Sequence, residues 1–171
     1  MSSFIGRKPA LHVCILFFLV LCYPDVAHSN EKAELVIVVK SEYRLYLIRE
    51  GKLFASFPVV FGPNPKGHKQ QQGDERTPEG EYILDYKNAN SSYYKSIHIS
   101  YPNAKDREEA RKRGVNPGGD IVIHGQKNGW GRFSFIAQRF NWTRGCVALS
   151  NKDMDAVWDA VDVGTPIEIR P

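Results

Sequence analysis

The 171-residue sequence is short of several things at once. It has three cysteines, no internal repeat and no low-complexity linker, and none of its apolar runs reaches the roughly 20 residues that span a bilayer. It also lacks a strong excess of either charge. Against 23 Lys and Arg stand 19 Asp and Glu, a net of +4, with acids interleaved among the bases. Weak, interleaved charge argues against a nucleic-acid binder. A content of 42% hydrophobic and 25% charged residues is that of an ordinary globular chain, which excludes disorder or a coiled coil as the main state. The length suits one well-cored domain and not two. No close pair of His or Cys ligands stands at metal spacing, so no metal site is expected.

The first 29 residues read as a cleaved leader. Arg7 and Lys8 form a positive region, Leu11 to Cys22 is an apolar run broken only by His12, and Pro24 follows. The triplet Ala27-His28-Ser29 places small residues where a signal peptidase needs them. The expectation is a signal peptide at 1–29, export, and no stable membrane insertion after cleavage. Cleavage would remove Cys14 and Cys22 and leave Cys146 as the one thiol. A lone thiol in an exported chain is a buried small hydrophobe, an intermolecular link or a reactive group.

The remaining chain reads as mostly β with short helices. Glu34–Lys40 is a branched apolar strand, Tyr43–Arg49 a second, and Glu50-Gly51-Lys52 a hairpin turn into a return strand over Leu53–Phe61. Gly62 to Gly67 breaks regular structure, and the polar stretch to Asp74 reads as a mobile loop with His68 solvated. Strands are expected at Glu81–Tyr86, Ser96–Ser100, Asp120–His124 and Pro166–Arg170. Asn103 caps a polar, solvent-facing helix that ends at Gly114, with Asp106 in its first turn and Glu108/Lys112 and Glu109/Arg113 as i,i+4 pairs. Phe133–Phe140 reads as a short helix or an aromatic loop. Ser150 caps the last helix, whose buried face is Met154, Val157, Trp158 and Val161. Whether 62–74 and 103–114 close over a groove as a lid is left as an idea for the structure to address.

Two residues carry candidate chemistry. His124 ends a strand just before Gly125, and Cys146 follows 22 residues later in Thr143-Arg144-Gly145-Cys146-Val147. A cysteine nucleophile needs a base, a fixed tautomer for that base, and donors for the oxyanion. A histidine at a strand end is held by the sheet, the Gly125 carbonyl can hold one of its nitrogens, and the Gly145 and Cys146 amides can face a substrate carbonyl. His98 either lines the groove or is a structural histidine. Arg144 either binds a substrate carboxylate or pairs with a surface acid. Trp130, Phe133, Phe135, Phe140 and Trp142 wall the groove or fill the core.

Ile123-His124-Gly125 and Trp142-Thr143-Arg144-Gly145-Cys146-Val147-Ala148-Leu149, with Thr77-Pro78-Glu79-Gly80-Glu81-Tyr82 upstream, resemble the L,D-transpeptidase catalytic domain family over roughly residues 34–169. The wording around Cys146 is most similar to a Trp-Thr-x-Gly-Cys-aliphatic-Ala subgroup. The resemblance implies a β-sandwich-like domain that attacks a peptidoglycan stem peptide after its third residue through a cysteine thioester. It implies Cys146 as nucleophile, His124 as base oriented by Gly125, and the Gly145 and Cys146 amides as oxyanion donors; Arg144, His98 and Trp142 stand beside these as the candidate substrate contacts. Transfer to an amine would cross-link the wall, with bearing on cell shape. Hydrolytic relatives act as carboxypeptidases or release a wall-linked lipoprotein, and a non-catalytic wall-binding module is the alternative of another class. No cofactor is implied, and the location would be periplasm or cell wall. Where many members carry Arg or Asn two residues after the cysteine, this chain has Ala148.

Overall fold

The computed structural model describes residues 31–130 and 134–171. Its elements are β1 (Leu35–Val39), β2 (Arg44–Arg49), β3 (Lys52–Pro58), β4 (Gly80–Ser91), β5 (Tyr94–Ile99), α1 (Ala104–Arg113), β6 (Val122–His124), α2 (Ser134–Ala137), β7 (Val147–Ala148), α3 (Asn151–Ala160) and β8 (Thr165–Arg170). The expected leader at 1–29, with Cys14 and Cys22, and Phe133 lie outside the described residues. Among the described residues no helix is long and apolar enough to cross a membrane.

The eight strands form one sheet in the order β3-β2-β1-β8-β4-β5-β6-β7. It is mostly antiparallel; β8 runs parallel to β1, and β7 parallel to β6. The sheet curls until its two ends meet. Beyond β3 the chain continues to Val60, which exchanges both backbone hydrogen bonds with Ala148, at 3.0 and 2.9 Å. The sandwich-like layering expected from the sequence is thus made by a single sheet folded over itself. Its inner face follows the period-2 alternation of the strands: Val36 and Val38, Leu45 and Leu47, Ile97 and Ile99, and Ile167 and Ile169 are all buried. Met154, Val157 and Val161 of α3 close the core, as their spacing predicts, while Trp158 is only partly buried against it.

Both main helices start where the sequence indicates. Asn103 and Asp106 form a reciprocal capping box, and Gly114 closes α1. The Ser150 hydroxyl accepts from Asp153 N–H at 3.1 Å. Three expectations need correction. The charges of α1 pair mainly at i,i+3, Glu108 with Arg111 and Glu109 with Lys112; of the expected i,i+4 pairs only Glu109–Arg113 forms, at 3.8 Å. The helix is not wholly solvent-facing, because Asp106 and Ala110 are buried. His68 is only partly exposed and is held by partners: its Nδ1 accepts from Glu79 N–H at 2.9 Å and its Nε2 lies 3.1 Å from Asp106, which ties the 62–80 segment to α1.

This architecture places the residues after Cys146 in the core. Leu149 is fully buried and its N–H donates to His124 O at 2.9 Å. Leu149→Ala is expected to lower stability by roughly 2–5 kcal/mol, read as a shift in urea midpoint.

Candidate active site

The site is assembled from four stretches of backbone that meet at the open end of β6 and β7. Parallel pairing sets Ile123 beside Val147 and His124 beside Ala148, so the strand-end histidine and the loop before β7 face the same space. A cavity of about 410 Å³ lies there, lined by Tyr93, Asp120, Val122, His124, Trp142, Thr143, Arg144 and Cys146. Thr143 N–H donates to Phe61 O at 3.0 Å, and Phe61 N–H to Asn141 Oδ1 at 3.1 Å, so the chain leading to Cys146 is stitched to the continuation of β3.

His124 is buried, and its Nδ1 lies 2.6 Å from the Gly125 carbonyl oxygen. A carbonyl only accepts, so Nδ1 carries the proton and Nε2 is left as the acceptor. Burial drives the His124 pKa down to about 4, against the Gly125 hydrogen bond, which raises it. The Tyr93 ring lies 4.8 Å from the His124 ring and the Trp142 ring 5.6 Å, edge-on; Tyr93 and Trp142 stack on each other at 6.0 Å. The imidazole is thereby walled by two aromatic faces and fixed at its far nitrogen.

Cys146 is partly exposed to the cavity, and its thiol donates to Asp120 O at 3.6 Å. Burial pushes the thiol pKa up; a backbone hydrogen bond at Val122 and the charge of Lys69 pull it down, and the charge of Asp120 adds to the rise. The site therefore rests as a neutral thiol beside a neutral imidazole. Asp120 itself holds a left-handed φ of 55°, an uncommon conformation for a residue with a side chain, at the carbonyl that receives the thiol.

Gly145 is required by packing. Its φ is 111°, and a Cβ there would fall 2.4 Å from Arg76 O. A Cβ on Gly62 would fall 2.2 Å from Glu75 O and 3.1 Å from Gly145 N. Three backbone segments thus touch directly beside the Cys146 loop. The Gly145 N–H is not open to a ligand as the sequence suggests, because it donates to Thr143 Oγ1 at 3.2 Å, while that hydroxyl donates to Cys146 O at 2.8 Å. The threonine hydroxyl two residues upstream is the acceptor of this N–H in the structure.

The structure brings Cys146, His124, Arg144 and Trp142 around one cavity, with Gly125 and Gly145 behind them. His98 is not among the lining side chains; its Nδ1 lies 2.7 Å from Asp85 Oδ1 on the neighbouring strand. Trp130 and Phe140 line a separate apolar cavity that shares Trp142, and Phe135 is exposed. Neither residues 62–74 nor α1 contributes a lining residue to this cavity. Tyr93, Asp120 and Thr143 line it and are not singled out by sequence reasoning. Thr143 lies inside the motif, and the doubled aromatic Tyr93-Tyr94 at a hairpin end was the available signal for Tyr93.

The depressed His124 pKa has a consequence for stability. The folded protein resists a proton that the unfolded chain accepts near 6.5, so folding is least penalised above pH 6.5. Stability should fall as pH drops from 6.5 towards 4 and level off below that, with His124 contributing roughly 3 kcal/mol of the loss. Thermal melts across this window should show that slope reduced in His124→Gln. Gly145→Ala should destabilise by more than about 2 kcal/mol, read in the same melts.

Comparison with known proteins agrees with this architecture. Residues 33–169 match the family model described as the L,D-transpeptidase catalytic domain. The Escherichia coli (strain K12) protein YafK, provisionally named an L,D-transpeptidase, is 32% identical over 112 residues. That match takes in 64% of this chain and 38% of YafK, so the chain spans well under half of that relative. Among solved structures, the helical cell shape determining protein Pgp2 of Campylobacter jejuni superposes with a TM-score of 0.58 at 27% identity, over 79% of this chain and 46% of Pgp2. An L,D-transpeptidase of Mycobacterium tuberculosis H37Rv shares the fold, with a TM-score of 0.52 at 16% identity over 80% of this chain and 57% of its own. With the match running over nearly every described strand, the chain belongs to the L,D-transpeptidase catalytic domain family.

Proposed function

We propose that the protein is a cysteine acyltransferase of peptidoglycan that cuts a stem peptide after its third residue and passes the acyl group to an amine. The observation that carries this reading is the shared cavity of Cys146 and His124, with the His124 Nδ1–H fixed on the Gly125 carbonyl so that Nε2 is the free base. Because both groups rest neutral, the thiolate is not preformed. His124 Nε2 takes the thiol proton as Sγ bonds to the carbonyl carbon of the third residue, in general-base fashion. The Cys146 amide, joined by the Gly145 N–H when it is released from Thr143, receives the oxyanion. The tetrahedral adduct collapses as the peptide nitrogen takes the proton from His124, and the terminal residue leaves as a free amine. The thioester remains on Cys146.

An amine from a second stem then attacks the thioester carbon and gives a proton to His124; the C–S bond breaks, the new amide leaves, and His124 returns that proton to the Cys146 thiolate. Water in place of that amine gives the hydrolytic outcome. Arg144, exposed at the cavity edge, suits a stem carboxylate through its planar fork. Trp142 and Tyr93 supply the apolar wall against which the peptide lies. With residues 1–29 as a cleaved leader, the enzyme works outside the cytoplasmic membrane, in the periplasm or wall. The likeness to a cell shape determining protein supports a role in wall architecture.

The test is incubation with purified muropeptides and mass analysis of the products. A cross-linked dimer with loss of one terminal residue is the expected result. A shortened monomer would establish carboxypeptidase action in its place, and release of a wall-linked lipoprotein would establish the amidase outcome. Cys146→Ala should abolish turnover, and His124→Ala should lower it by about 10²–10⁴-fold. Full biological activity of Cys146→Ala with no product from any muropeptide would overturn the enzyme reading.

A further inference from the structure

Residues 69–76 form a loop closed on a single carboxylate. Asp74 Oδ2 accepts from Gln70 N–H at 2.7 Å and Gln71 N–H at 3.1 Å. Its Oδ1 accepts from Arg76 N–H at 3.2 Å and from Lys69 Nζ at 2.8 Å. Lys69 also donates to the Gln71 carbonyl at 3.0 Å and is only 3% exposed. Burial alone would raise the Asp74 pKa, yet these hydrogen bonds hold it below the usual carboxylate range.

A lysine this deep is uncommon, because desolvating an ammonium is costly and one carboxylate offsets only part of it. Holding the loop does not by itself require it, since three backbone N–H groups already fix Asp74. The position of the loop supplies the reason. Its carbonyls at Glu75 and Arg76 are pressed against Gly62 and Gly145, the residue before Cys146. Gln72 N–H donates to Asn116 O at 2.8 Å, and a Cβ on Gly118 would sit 3.3 Å from Gln72, on the segment that leads to Asp120. The loop is thus wedged between the two stretches of chain that frame the thiol. Asp74 Oδ1 joins Lys69 Nζ to the Arg76 N–H, and the Arg76 carbonyl packs on Gly145, so the Lys69 ammonium stands in the loop that backs the Cys146 turn, from where a positive charge favours the ionised thiol.

We infer that Lys69 is a positioning residue for the nucleophile. Clasped by Asp74 in the loop that packs on Gly145, its ammonium supplies a fixed positive charge that stabilises the negative charge developing on Cys146. This inference rests on the reading of Cys146 as the nucleophile. It answers a need created by the neutral resting pair: when the proton passes to His124, the sulfur becomes anionic in a site that burial makes hostile to charge. The other titratable or charged groups facing the sulfur are His124, Asp120, Arg144 and Tyr93 around the cavity, with Asp74 behind Lys69.

The experiment is alkylation of the full chain by iodoacetamide across pH. It is followed peptide by peptide, so that Cys146 is read apart from Cys14 and Cys22. Lys69→Met should move the Cys146 midpoint upward by about one pH unit and slow alkylation at neutral pH about tenfold. Lys69→Arg, which keeps the charge, should restore most of both. Asp74→Asn, which leaves the lysine without its counter-charge, should move the midpoint downward. A folded Lys69→Met with the wild-type midpoint would overturn the inference. So would a Lys69→Arg midpoint displaced as far as that of Lys69→Met. If Lys69→Met does not fold, an unchanged or raised midpoint in Asp74→Asn has the same force. Failure of the nucleophile reading would appear separately, as muropeptide turnover that survives Cys146→Ala.

Discussion

The pair of backbone hydrogen bonds between Val60 and Ala148 closes the sheet, and the catalytic cavity depends on that closure. Without it, β3 and β7 would be opposite edges of an open eight-stranded sheet. With it, the continuation of β3 reaches Phe61, which fixes Thr143 and Asn141, and Gly62, which packs against Gly145. The Cys146 loop is therefore held from two sides, by its own strand β7 and by the far end of the sheet. A site hung between two ends of one sheet is more rigid than one carried on a loop alone, and rigidity is what a pre-aligned nucleophile and base require.

The chemistry of the cavity is set by burial more than by charge pairs. His124 and Cys146 both sit where ionisation is disfavoured, and the one fixed hydrogen bond to His124 decides which nitrogen is free. Aromatic rings on two sides keep the imidazole from turning. These are features of geometry. They leave the imidazole neutral with Nε2 free, and the Gly125 carbonyl stands at Nδ1 where many triads have a carboxylate.

Much of this was legible in the sequence, for local reasons. Branched apolar runs gave β1 and the central strands, the Asn103–Asp106 box and Ser150 gave the helix starts, and His124 and Cys146 stood out by their glycine neighbours. What was not legible depends on contacts between distant segments. The stretch before Asp74 reads as polar and mobile, yet Lys69 is buried there because one carboxylate gathers the loop's own N–H groups. His68 looks solvated until α1 brings Asp106 to it. His98 alternates correctly for a groove position, but Asp85 on the adjacent strand takes its ring. The Gly145 amide shows a limit at shorter range: whether a nearby threonine hydroxyl or a substrate receives that N–H depends on a side-chain torsion that residue spacing does not encode.

The place of β8 bears on how the domain is made. Residues 165–170 lie in the middle of the sheet, between β1 on one side and β4 on the other. Until that segment is available, β1 and β4 have no strand between them, and Val36 and Tyr82 lack the Ile167 that both pair with. Every pairing of β8 joins residues far apart in sequence, so the chain closes its largest loops last. The middle of the sheet therefore cannot form before residues 165–170 join it.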